Sequence, residues 1–236
     1  MTLAKKILIL VPAFNEGRVI GRLVREIREL YPHYPILVIN DGSHDDTSKK
    51  AEEAGARVIT LPYNLGIGGA IQCGYKVAAE EDYDITVQID GDGQHDPVYL
   101  KTVLKPILDD KLDLCIGSRF LSESNGFKST FMRRIGIRFF SQLLRLLTGI
   151  SITDPTSGYR ATGKKIIHRF APHYPIDFPE PEAILIAKLY GARIGEVPVK
   201  MRKRLGGISS IRYFKTAYYM IKVTLAILID MIKKRY

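Results

Sequence analysis

Cysteine is scarce in this chain. Cys73 and Cys115 are the only two among 236 residues, and both sit inside apolar segments. That excludes a disulfide framework and a cysteine-based zinc cluster, and it reads as buried thiols in a reducing cytosol. The five histidines, His33, His44, His95, His168 and His173, have no metal-ligand spacing. No stretch reaches the ~18–20 uncharged apolar residues of a membrane span. Internal repeats, low-complexity tracts and Pro/Ser-rich linkers are missing, which leaves one large α/β domain with C-terminal helical additions. A dense Lys/Arg run interleaved with aromatics is missing too, so no nucleic-acid partner is expected. Lys5-Lys6 before the apolar residues 7–11 imitates a secretory leader, but the run is short and Asn15-Glu16 follows with no small-residue cleavage site. It reads as the first strand.

What is present is 46% hydrophobic and unevenly charged. The net +10 hides a division: residues 1–100 carry 10 Lys and Arg against 15 Asp and Glu, and the remainder carries 25 against 10. A basic second half favours an anionic partner, a phosphorylated substrate or an anionic membrane face. Apolar runs predict strands over 7–11, 36–39, 57–61 and 85–89. Between them lie helices over 19–30, from Asp46 or Thr47 to Gly55, and from Gly68 or Gly69 to Glu80. This alternation implies a parallel sheet with helices on both faces. Beyond it the pattern predicts a helix over 97–108, a strand over 112–116, a basic amphipathic helix over 128–147, and a polar loop over 153–160. A helix over 183–190, a strand over 193–199, a basic loop over 202–209 and a last amphipathic helix over 211–236 complete the chain.

Ligands of such sheets bind outside the carboxyl ends of the strands. Four polar clusters fall there, at 12–16, 41–43, 64–69 and 90–96, so one geometric rule gathers them into one cleft. Within it, Asp90-Gly91-Asp92 follows a strand directly. Two carboxylates at a strand end can share one small hard cation. Mg²⁺ or Mn²⁺ is usually held by one or two carboxylates plus substrate phosphates. An isolated D-x-D is more often a polar turn; its place among converging strand ends is what marks it as a site.

The order Pro12-Ala13-Phe14-Asn15-Glu16, Asn40-Asp41-Gly42-Ser43, Asn64-Leu65-Gly66-Ile67-Gly68-Gly69-Ala70 and Asp90-Gly91-Asp92-Gly93-Gln94-His95 resembles family 2 glycosyltransferases of the GT-A fold. Gly117-Ser118-Arg119-Phe120, the run from Asp154 to Arg160, and Arg204-x-x-Gly207-x-Ser209 are similar to the branch holding dolichyl-phosphate mannose synthase and bacterial polyprenyl-phosphate glycosyltransferases. The resemblance spans roughly residues 5–210. It implies a Rossmann-like, mostly parallel sheet flanked by helices. A catalytic domain over 1–210 would have a nucleotide-sugar half, 1–120, and an acceptor half, 121–210, followed by the amphipathic helix 211–236.

The activity it implies is inverting transfer of a sugar from a UDP- or GDP-sugar to undecaprenyl or dolichyl phosphate. Asp90 and Asp92 would hold the metal, with Gln94 as a neutral oxygen ligand. Pro12, Ala13, Asn15, Glu16, Asp41, Asn64, Gly69, Asp90, Gly91 and Asp92 would bind the nucleotide sugar. Arg119, Arg134, Arg204 and Ser209 would receive the acceptor phosphate, with Arg133 and Arg160 as further cations. Asp154 falls at the acceptor-side acid, a general base for a hydroxyl acceptor. A phosphate monoester, with a second pKa of about 6, arrives ionised and needs no strong base. The catalytic set is then Asp92, Asp154, Arg119 and Arg204. His95 reads as a supporting residue. Glu180-Pro181-Glu182 departs from the mannose-synthase form and leaves the donor sugar open, with Glu182 set against the sugar or the Arg204 loop.

Many relatives carry membrane spans after this domain, whereas this sequence shows two basic amphipathic helices. Such helices lie in the plane of an anionic interface. Peripheral attachment at the cytoplasmic membrane face, an integral-membrane partner or a second copy of the chain would supply the contact with lipid. The alternatives are a glycosyltransferase acting on a hydroxyl acceptor and a nucleotide-sugar-binding protein without catalysis. A nucleotidyltransferase would want a Gly-rich basic loop after the first strand, and residues 12–16 offer none.

Overall fold

A computed structural model describes residues 5–121, 131–176, 179–202 and 215–233. The first strand, β1 (Ile7–Ala13), is buried along its whole length, as a strand covered on both faces must be. After it come α1 (Ile20–Leu30), β2 (Ile36–Asn40), α2 (Thr47–Glu53), β3 (Arg57–Thr60), α3 (Gly66–Glu80) and β4 (Ile85–Gln88). A single 3₁₀ turn, Pro97–Tyr99, leads into α4 (Leu100–Leu108) and β5 (Leu114–Ser118). The remaining elements are α5 (Phe131–Thr148), β6 (Arg160–Gly163), α6 (Lys164–Phe170), α7 (Pro179–Leu189), β7 (Ile194–Pro198) and α8 (Lys215–Lys233).

The seven strands form one sheet in the order β3-β2-β1-β4-β6-β5-β7. All pairings are parallel except those of β6, which runs antiparallel to β4 and β5. One face is covered by α1 and α4, through residues such as Leu23, Ile27, Val103 and Leu104. The other is covered by α3, α6 and α7, through Ile71, Tyr75, Ile167 and Ile186. A third cluster joins α5, α7 and α8 around Phe140, Leu144, Ile184, Val223 and Ile227. Cys115 is buried in the sheet core, where desolvation pushes its thiol up to about 12, and Cys73 is half-buried.

Several expectations change. Residues 160–163 form a strand where a loop is expected up to Arg160, and α6 fills a stretch to which the sequence assigns nothing. Helix α7 starts at Pro179 rather than at 183, because prolines in a first turn lack only N–H groups that a helix leaves unbonded. Thr47 N–H is bonded by Asp45 Oδ1, not by an Asp46 side chain. The apolar side that the pattern gives the helix over 128–147, Phe131, Ile135, Phe139, Leu143 and Leu146, is half-buried at Leu143. Ile135, Phe139 and Leu146 are exposed, while Ile137, Phe140 and Leu144 are buried. Helix α8 behaves likewise: Leu225 and Leu228 are exposed, and Val223 and Ile227 are buried.

Helix α3 meets the loop before α7 backbone to backbone. A Cβ on Gly68 would lie 2.2 Å from the carbonyl oxygens of both Pro175 and Ile176. Neither oxygen can rotate away, so Gly68→Ala is expected to destabilise the fold by ~1–3 kcal/mol, read as a lower denaturation midpoint.

Candidate active site

The carboxyl ends of β1, β2 and β4 place residues 14–16, 41–43 and 90–96 side by side, and backbone bonds stitch them together. Asp41 N donates to Ala13 O at 2.9 Å, and Gly91 N donates to Pro12 O at 3.1 Å. Pro12 and Ala13 are thus wall rather than loop. A Cβ on Gly91 would stand 2.9 Å from Pro12 O, which is why this position takes glycine. Asn15 adopts a left-handed conformation, φ 55°, that asparagine tolerates. Its amide N–H donates to Ser43 Oγ at 2.9 Å, and its side-chain oxygen accepts from His44 N at 2.9 Å. Glu16 is buried, with its N–H on Thr47 Oγ1. Asp41 is buried as well and accepts from Leu65 N at 2.7 Å; burial raises its carboxyl against that bond and one from Gly66.

Asn64 is exposed and accepts from Gly66 N at 3.0 Å, closing the start of α3. The space beside Gly69 is filled by Leu65, 2.6 Å from where a Cβ would stand. Gly68 and Gly69 pack tightly, whereas nothing lies within 4 Å of where a Cβ on Gly66 would stand.

At the end of β4, Asp90 Oδ1 accepts from Gln88 Nε2 at 3.0 Å, and Asp92 Oδ1 accepts from Gln94 N at 2.9 Å. Asp90 Oδ2 accepts no hydrogen bond among the described residues. The Asp90 side chain is 33% exposed and Asp92 is half-buried. Hard oxygen donors with one edge open to the cleft fit a small divalent cation completed by phosphate oxygens. Among the described residues no group of three or more His, Cys, Asp or Glu is placed to hold a metal. Gln94 is half-buried, and its carbonyl accepts from Arg202 N at 2.8 Å. Arg202 in turn bonds Glu26 and Asp96, which ties residues 201–202 to this loop.

On the other side of the cleft the sequence separates Arg119 from Asp154, one for the acceptor phosphate and one as an acceptor-side acid. The structure joins them. Arg119 Nε and Nη2 donate to the two oxygens of Asp154 at 2.6 and 2.7 Å, and Arg119 N adds a third bond at 3.1 Å. Both side chains are buried, at 4% and 0% exposure. Glu196, which the sequence reading passes over, accepts from the backbone N–H groups of Thr153 and Asp154 and so fixes this loop to β7. Burial raises its carboxyl. A charged residue inside the strand pattern of 193–199 is the signal that could have found it. Arg160 is 2% exposed and donates to the carbonyls of Pro155, Ser157 and Glu180, so it braces two loops, and its Nη1 is buried without a hydrogen bond among the described residues. Glu180 is half-buried with its carboxyl raised by burial. Glu182 faces a cavity of about 450 Å³ shared with Gln72, Tyr174, Lys222 and Val223. Arg134 is exposed on α5. Arg204 and Ser209 lie outside the described residues, and nothing is described of the Arg133 side chain.

Comparison with known proteins gives this arrangement its family. The model for "Glycosyl transferase family 2" matches residues 8–170, which takes in the strand-end loops and the Arg119–Asp154 pair. The chain is a family 2 glycosyltransferase. This glycosyltransferase is 35% identical over 201 residues to an uncharacterised protein of Methanocaldococcus jannaschii, covering 83% of this chain and 81% of that one. It is 31% identical over 215 residues to the UDP-N-acetylglucosamine–dolichyl-phosphate N-acetylglucosaminyltransferase of Methanococcus voltae, covering 83% and 85%. Its fold is that of GT-A glycosyltransferases. A crystal structure of glucosyl-3-phosphoglycerate synthase from Mycobacterium tuberculosis, in complex with Mn²⁺, UDP and glucosyl-3-phosphoglycerate, superposes with a TM-score of 0.73 at 20% identity. That match covers 95% of this chain and 79% of that one.

Proposed function

We propose that this glycosyltransferase moves a sugar, with inversion, from a UDP- or GDP-sugar to a polyprenyl phosphate such as undecaprenyl or dolichyl phosphate, at the cytoplasmic face of the membrane. The observation that carries the choice of acceptor is the Arg119–Asp154 pair. Both oxygens of Asp154 are taken up by Arg119 and the pair is buried, so this carboxylate is not placed to receive the proton of a hydroxyl nucleophile. A phosphate monoester arrives ionised. The dolichyl-phosphate acceptor in the name of the Methanococcus voltae relative points the same way.

In this reading Asp41, Glu16 and Asn15 hold the nucleoside, with the backbone of Pro12, Ala13 and Gly91 as the wall behind it. Asp90 and Asp92 would hold Mg²⁺ or Mn²⁺, with Gln94 beside them, and such an ion would supply Lewis-acid neutralisation of the leaving diphosphate. Asp154 sets the orientation of the Arg119 guanidinium. Arg119, with Arg134, Arg204 and Ser209, orients the acceptor phosphate opposite the leaving group. Fixing two anions in line lowers the entropic part of the barrier.

No helix among the described residues is long and apolar enough to cross a membrane. The exposed side of α5 instead sets Arg134, Arg138 and Arg145 beside Ile135, Phe139 and Leu146, and α8 exposes Leu225, Leu228 and Ile229. Basic groups next to apolar ones on a helix surface suit headgroups and acyl chains of an anionic leaflet. An integral-membrane partner or a second copy could share that surface.

The test compares acceptors of one chain length in vesicles. Polyprenyl phosphate is expected to be glycosylated, faster in anionic than in neutral vesicles, and the corresponding polyprenol is expected to remain unmodified. Equal transfer to the alcohol would overturn the phosphate reading.

A further inference from the structure

We infer that His95 is a positioning residue for Asp90, holding the carboxylate in the orientation that a divalent cation needs; the inference rests on the metal reading above. His95 is 3% exposed, and its ring lies against Tyr159 with centroids 4.9 Å apart and planes 18° apart. Tyr159 is fully buried, and its hydroxyl donates to Asp96 O at 3.1 Å, so the imidazole cannot turn without displacing it. His95 Nδ1 accepts the backbone N–H of Asp90 at 3.0 Å. A nitrogen that accepts carries no proton, so the neutral ring bears its proton on Nε2. That nitrogen faces Asp90 Oδ2 at 3.6 Å. A protonated Nε2 has no lone pair for a metal, so His95 is not a ligand; its N–H attracts the carboxylate.

Two more groups close on the same carboxylate. Gln88, 4% exposed, holds Oδ1 through its Nε2 at 3.0 Å. A Cβ on Gly158 would lie 3.0 Å from both oxygens of Asp90. Gln88 stands opposite Arg160 in the β4–β6 register, so the antiparallel strand is what brings Gly158 and Tyr159 here. The Nε2–H, the Gln88 amide and the Gly158 wall thus flank the Asp90 carboxylate, and its side chain keeps 33% exposure. Outer partners of metal ligands are typically worth ~10–100-fold in metal affinity.

The variant His95→Asn keeps an acceptor on the Nδ1 side and removes the Nε2–H. Three quantities are measured: Mn²⁺ affinity in the presence of UDP, from the electron paramagnetic resonance signal of free Mn²⁺; metal-free UDP affinity, by calorimetry; and Tm. The expected result is Mn²⁺ binding ~10–100-fold weaker with metal-free UDP affinity unchanged, and partial recovery in His95→Gln, whose amide reaches the Nε2 position. Should His95→Asn not fold, Gln88→Met, similar in volume and without the donor to Oδ1, is expected to show the same selective loss. Wild-type Mn²⁺ affinity in the folded variants overturns the inference, as does a proportional loss of metal-free UDP binding, which a purely structural role would give. A native protein that binds no Mn²⁺ with UDP overturns the metal reading, and this inference with it.

Discussion

Asp90→Asn is expected to lower sugar transfer by ~10³-fold while the protein stays folded. The amide keeps an oxygen for Gln88 Nε2 and fills the same volume beside Gly158, and the side chain is one-third exposed, so little packing is lost. What disappears is the negative charge that holds a cation against the leaving diphosphate. Removing a group that stabilises charge developing in the transition state typically costs ~10²–10³ in kcat, and loss of the cation's Lewis-acid contribution adds to it. The fall should appear in kcat more than in KM, because that charge grows as the bond to the sugar breaks. Initial rates at saturating donor, with far-UV circular dichroism as the control for folding, measure it. A variant that turns over like the native enzyme would remove Asp90 from the reaction.

Asp154→Ala is the second large effect, and it strikes stability and activity together. Breaking a buried ion pair by removing one partner costs ~3–5 kcal/mol, because the remaining charge stays buried without compensation. Here the stranded charge would be Arg119, 3% exposed. For a chain of this size ~1 kcal/mol moves Tm by ~2–4 °C, so a fall of roughly 10 °C is expected. Arg119→Ala should match it, and the double variant should be far more stable than the sum of the two predicts, since each change removes the same interaction. The test distinguishes two roles for Asp154. A general base replaced by the isosteric Asp154→Asn loses turnover with Tm unchanged, whereas a residue that orients Arg119 loses both in step.

How much of this is legible in the sequence depends on where the information sits along the chain. Strands β1 and β2 are continuous apolar runs because both their faces are buried, β4 alternates apolar and polar residues, and each ends in a polar cluster, so the cleft can be placed from the pattern alone. Strand β6 is not legible: Arg160-Ala161-Thr162-Gly163 has no apolar run, and its strand character comes from neighbours far away in sequence. Helices α5 and α8 are apolar on more than one side, so periodicity shows an amphipathic helix without saying that Ile137, Phe140, Leu144, Val223 and Ile227 are the residues that face the core. Arg119 and Asp154 are each marked by their motifs, but nothing in the sequence joins residues 35 positions apart into a bidentate pair. Gln88 passes unremarked in the sequence, and its bond to Asp90 accounts for a polar residue at this buried strand position.

The measurement that tests the central claim most directly is transfer by the purified protein in vesicles holding a polyprenyl phosphate. A panel of UDP- and GDP-sugars is supplied with Mn²⁺ or with EDTA. A single donor, or a closely related set, is expected to give a polyprenyl-phosphate sugar of inverted configuration, with formation stopped by EDTA and restored by Mn²⁺. No transfer and no donor hydrolysis with any combination, or transfer at the same rate in EDTA, would contradict it.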